Sequence, residues 1–217
     1  MVSLMQLLSE HSCEEDVNHT HHVHTEECES GHSHEDGVGD EHVWMSLKNA
    51  VLFCQEITEV LSEKDEKNSE IYRENCEKYT ARLKELDKEF AEVVSSAEKK
   101  VCVVADRFPF AYLAEDYGIE CFAAFPGCSS ETNATFQTVI LLADKIKEFG
   151  LKTVVVTENT TGATASAVAE TSGVKNIKTV VLDSMQSVSL EDAKKGVTYV
   201  SIMESNLKAL SEILEVR

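Results

Sequence analysis

No histidine follows His42, and no lysine or arginine precedes Lys48. The first absence excludes a Ser-His-Asp arrangement anywhere in the rest of the chain. The second leaves the short apolar start, residues 1–8, without the basic residues that open a secretory signal. As written, the chain is expected in the cytoplasm or as the trimmed form of an exported protein. None of the seven cysteines forms a CxxC pair, which rules against a zinc ribbon or a thioredoxin-like site. Neither GxxxxGK(S/T) nor GxGxxG occurs, so neither familiar phosphate-cradling loop is present. No apolar run is long enough to span a bilayer as a helix. Basic residues are scarce overall: 20 Lys and Arg stand against 39 Asp and Glu, a formal net charge of -19. That balance disfavours nucleic acid and anionic membrane surfaces as partners and favours cations.

What is present is a concentration of imidazoles. All 8 histidines lie within residues 11–42. His21-His22-Val23-His24 and His32-Ser33-His34 place several of them on a stretch rich in Glu, Asp and Ser, with Gly31, Gly37 and Gly39. Such a composition cannot bury enough apolar surface to order itself. Neutral imidazole is a good ligand for zinc, copper and nickel, and the interleaved carboxylates add donors and counter-charge. A flexible chain loses entropy on wrapping a metal, so each such site is weaker than a preformed one. The segment reads as a capture loop. A solvated acidic linker with incidental histidines is the plainer alternative.

Residues 43–99 read as helix, with Asp40 as a candidate cap. Val43, Leu47, Val51, Cys54 and Ile57 recur at helical spacing. The charged stretch 63–69 interrupts the pattern, and a run of roughly 30 residues, about 45 Å long as helix, follows. A helix of that length joins two bodies or lies along one. Cys54, Cys76 and Cys102 fall inside apolar patterns and read as small buried hydrophobes.

Residues 100–217 alternate strand and helix. Strands are predicted at 101–105, 120–125, 153–157 and 178–182. Helices are predicted at 109–117, 131–149, 160–172 and 199–216, the first three stopped by Gly118, Gly150 and Gly173. This order gives an α/β fold: a four-stranded parallel sheet flanked by helices. Ligands of such sheets bind at the carboxyl ends of the strands. Asp106, Arg107, Cys128, Glu158 and Asp183 fall there. For Glu158 and Asp183 a turn or cap role is the plainer reading.

In order, these pieces resemble the zinc/manganese substrate-binding proteins of ABC transporters, the metal-binding lipoprotein and adhesin family. Its D-P-H-x-W element after a His- and acid-rich loop is similar to Asp40-Glu41-His42-Val43-Trp44. Its long lobe-joining helix matches the run ending near Val94. Its H-D-A-F-G-Y-L-like element matches Arg107-Phe108-Pro109-Phe110-Ala111-Tyr112-Leu113, and its late strand ending in L-D matches Leu182-Asp183. The resemblance spans nearly the whole chain and divides it four ways. Residues 1–9 are a remnant of an N-terminal lobe, 10–41 the His-rich loop, 42–99 a helical linker and 100–217 the metal-binding lobe.

The resemblance implies an extracytoplasmic, non-enzymatic zinc carrier that hands its ion to a membrane permease. His42 and Asp183 match two of its four protein ligands. One ligand belongs to the lobe that is almost absent, and Arg107 replaces another; Arg cannot ligate a metal. A loop histidine (His21, His22, His24, His32 or His34), Glu131, Glu158 or Cys128 are the candidates to complete the set, since zinc prefers four donors. In the alternative, Arg107 pairs with Asp183 or Glu158 and the site is lost. Histidine-dominated donors favour Zn2+ over Mn2+. A homodimer through the exposed lobe surface is a further expectation. A cytoplasmic metal buffer acting through the His-rich segment and a non-functional fragment are the competing readings.

Overall fold

The computed structural model describes residues 23–24, 40–127 and 134–216. After a 3-10 turn at Val43–Met45, helix α1 (Leu47–Lys64) begins at Ser46, whose hydroxyl accepts the Asn49 N–H at 3.0 Å. Ser46, not Asp40, is therefore the cap, because the intervening turn separates Asp40 from the helix. The predicted interruption is real: a second 3-10 turn, Glu66–Asn68, reverses the chain into α2 (Ser69–Ser96, 28 residues). The helical stretch is thus a hairpin of two packed helices. In α2 the buried side chains are Thr80, Leu83, Leu86, Phe90 and Val94, all but Thr80 in its C-terminal half. Ile71 and Tyr79 on α2, and Ile57 and Leu61 on α1, remain exposed. The long helix therefore lies along the α/β body with its C-terminal part, while the tip of the hairpin stands clear.

The sheet has the order β1-β3-β2-β4-β5 and is parallel throughout. Its body is the expected four strands: β2 (Val101–Phe108), β3 (Glu120–Pro126), β4 (Thr153–Thr157) and β5 (Lys178–Leu182). A two-residue edge strand, β1 (Val23–His24), pairs with Cys121 and Phe122. It comes from within the stretch read as a flexible loop. Successive side chains of β2 alternate between faces. Cys102 and Val104 join one core cluster with α2 and α7 (Tyr199–Ile213), and Val101, Val103 and Ala105 join another. The second cluster is closed by α4 (Phe136–Phe149) and α5 (Ala163–Ser172). Burial on both faces is why these strands read as unbroken apolar runs.

The short α3 (Ala111–Tyr117) follows β2 and ends at Gly118 with φ 67°, a left-handed stop that a Cβ disfavours. Gly150 ends α4 the same way. Helix α4 starts at Phe136, capped by Thr135, rather than at residue 131. A short α6 (Leu190–Lys194), capped by Ser189, precedes α7. Among the described residues no helix is long and apolar enough to cross a membrane.

Candidate metal centre

The carboxyl ends of β2, β4 and β5 open onto a polar cleft of about 330 Å³, lined among others by Asp106, Arg107, Gly127, Glu158, Ser184 and Gln186. Next to it His42 is fully buried. Its backbone N–H and its Nδ1 both meet Asp40 Oδ1, at 2.8 Å and 2.6 Å. Its Nε2 lies 2.6 Å from the Gln186 amide nitrogen. With the ring proton on Nδ1 and donated to Asp40, the Nε2 lone pair is free to accept from Gln186. That is the tautomer in which a histidine ligates metal through Nε2, with a carboxylate behind it. The imidazole is also held edge-on by Trp44, ring centres 5.3 Å apart. Trp44 donates to the Ser184 carbonyl at 3.0 Å, and Tyr199 donates to the Trp44 carbonyl at 2.8 Å. Residues 42–44 are thus tied to the loop after β5 and to the start of α7.

The carboxylates expected at the site have structural partners. Asp183 Oδ1 accepts the Met185 N–H at 2.7 Å, holding a turn in which Met185 has φ 65°. Partial burial, with a smaller push from the Glu158 charge, raises the Asp183 pKa, and the Met185 N–H opposes that rise. Glu158 accepts both the N–H and the hydroxyl of Ser184, at 2.8 and 2.7 Å, tying the end of β4 to the loop after β5. Asp106 accepts the Arg107 N–H at 2.8 Å and the Thr157 hydroxyl at 2.9 Å. Arg107, at a register shift in β2, is exposed on the cleft wall. Among the described residues no three His, Cys, Asp or Glu side chains converge on one point. His21, His22, His32, His34, Cys128 and Glu131 lie outside the described residues, and of His24 only the strand position is described.

The chain matches the family described as ZnuA, zinc-uptake complex component A, periplasmic, over residues 3–213. It belongs to that family. It is 34% identical over 199 residues to the zinc-binding lipoprotein AdcA of Streptococcus pneumoniae, covering 92% of this chain and 37% of AdcA. It is 32% identical to the high-affinity zinc uptake system protein ZnuA of Bacillus subtilis, covering 82% of this chain and 54% of that protein. The chain therefore spans between about a third and about half the length of these relatives. Among solved structures, the metal-dependent lipoprotein YcdH of B. subtilis superposes with a TM-score of 0.70 at 32% identity, covering 82% of this chain and 65% of that one. The Zn(II)-bound ZnuA-like domain of S. pneumoniae AdcA gives 0.66 at 32% identity, covering 81% and 64%.

Within this ZnuA-family chain, the sequence pointed to His42 but not to Gln186. Asp40 was visible through its spacing to His42, although it was read as a helix cap. Gln186 has no chemical or periodic signature; its only signal is its place just beyond a strand end.

Proposed function

We propose that this chain is a zinc-handling component of an ABC uptake system, a carrier and not an enzyme, acting on the extracytoplasmic side and delivering its ion to a membrane permease. Zinc is its cargo. The observation that carries the reading is His42: buried, with its Nδ1 2.6 Å from the Asp40 carboxylate and its Nε2 against Gln186 of the cleft wall. The printed zinc functions of AdcA and of B. subtilis ZnuA support the choice of ion. His42 is the cleft donor. Glu158 on the cleft wall and Asp183 just after β5 are the carboxylates expected to assist, and the His-rich segment with Cys128 and Glu131 supplies further donors from chain beyond the described residues. Arg107 in the cleft wall and Gln186 on the His42 lone pair both oppose a cation, so cleft affinity is modest.

A second reading makes the His-rich segment the main metal holder. The confinement of all 8 histidines to residues 11–42 favours it. Competitive zinc titration at neutral pH separates the two, using the full chain, His42→Ala, and a chain with His21, His22, His24, His32 and His34 replaced by Asn. The carrier reading expects the five-fold replacement to keep one site that His42→Ala loses. If all binding leaves with the five replacements while His42→Ala keeps it, the segment alone holds metal and the cleft reading is wrong.

A further inference from the structure

Cys102 on β2 and Cys121 on β3 are paired residues of adjacent parallel strands. Their Sγ atoms lie 3.0 Å apart. Both side chains are buried on the sheet face that packs against α2 and α7. Neighbouring strands run about 4.8 Å apart, inside the roughly 4.4–6.8 Å between Cα atoms that disulfides accept. Because the two positions are in register and on one face, side-chain rotation alone can bring the sulfurs to bonding distance. An isolated buried cysteine is a small hydrophobe, but here two thiols meet.

We propose that Cys102 and Cys121 are a disulfide site, oxidised by thiol–disulfide exchange with a disulfide-class oxidant. One cysteine thiolate attacks the oxidant's S–S bond, giving a mixed disulfide and releasing one oxidant sulfur as thiolate. The other cysteine attacks the mixed disulfide, forms the Cys102–Cys121 bond and releases the second oxidant sulfur. Two electrons pass to the oxidant, and the two protons lost by the cysteines end on its sulfurs. In the folded chain both thiols are buried away from an oxidant, and the Cys102 contact and burial push the Cys121 pKa well up, which makes Cys121 a poor nucleophile there. Exchange therefore occurs as β2 and β3 come together. The bond closes a loop containing α3 and fastens the strand that bears Arg107 to its neighbour. Its formation in the cell rests on the extracytoplasmic reading above, since disulfides persist in oxidising compartments.

The full chain, unfolded with reductant and then refolded in oxidised glutathione, is treated with iodoacetamide in denaturant and mapped by peptide mass. The expected result is a joined Cys102–Cys121 peptide pair that separates on reduction and is missing from Cys121→Ala. The oxidised chain also melts above the reduced one. Recovery of both cysteines carrying the alkyl label, or joined only to other cysteines, overturns the proposal. Should Cys121→Ala fail to fold, the map of the unaltered chain decides by itself. A pair that joins in vitro but is alkylated when the protein is isolated from cells counts against the extracytoplasmic reading and leaves the site standing.

Discussion

At the scale of single residues, the cleft turns on three side chains. Asp40 Oδ1 meets the His42 Nδ1, and the Gln186 amide nitrogen lies against Nε2, at 2.6 Å on each side. For zinc to bind His42, the Gln186 N–H must leave the lone pair, by rotation of the side chain or by an amide flip that offers its oxygen instead. Gln186→Glu replaces a neutral donor with a carboxylate zinc ligand. It is expected to tighten zinc binding by about tenfold, ~1.4 kcal/mol. Asp40→Asn keeps the shape but removes the charge behind the ring, and is expected to weaken binding about 10–100-fold. Trp44 is the single tryptophan and packs on the imidazole, so its fluorescence reads both titrations directly. Unchanged affinity in both variants would place the zinc away from His42. Asp183 looked like a ligand in the sequence because it ends a strand at the ligand edge. In the fold its Oδ1 holds the Met185 turn, the plainer of the two roles that its place after a strand allows.

At the scale of elements, the helical hairpin is firmly anchored at one end only. Phe90 is fully buried and stacks on Tyr117 at 5.4 Å. Phe90→Ala is expected to cost about 3–5 kcal/mol in urea unfolding. Ile71, near the hairpin tip, is 56% exposed, and Ile71→Ala is expected to stay within about 0.5 kcal/mol. Equal losses for the two would mean that the tip is packed as tightly as the base. The break was legible from the charged stretch between the apolar runs; that the two helices fold back on one another was not. Nor was the orientation of the hairpin: the exposed Ile57, Leu61 and Tyr79 follow the same helical spacing as the buried side chains, so periodicity marks a face without saying whether anything covers it.

At the scale of the whole molecule, alkaline pH tests how the parts are joined. The Tyr117 hydroxyl donates to Asp87 at 2.8 Å, and burial together with the Asp87 carboxylate raises its pKa far above the ordinary 10.0. Burial raises that of Tyr199 as well. Above the ordinary value the unfolded chain gives up these protons while the folded chain keeps them. The folded state then binds more protons, and stability falls as pH rises. The melting temperature is expected to decline beyond about pH 10, with a shallower decline in Tyr117→Phe; a flat profile would contradict the buried hydrogen bond.

The four-stranded parallel body, the glycine helix stops at Gly118 and Gly150 and the family membership could all be read from the chain alone. These rest on local pattern and on residue order, which survive without coordinates. Only the tertiary structure decided that Gln186, 144 residues away, closes on His42, that Cys102 and Cys121 meet, and that Val23–His24 extends the sheet. Each of these contacts joins segments distant in the chain, and the geometry that joins them comes from packing both faces of the sheet against helices.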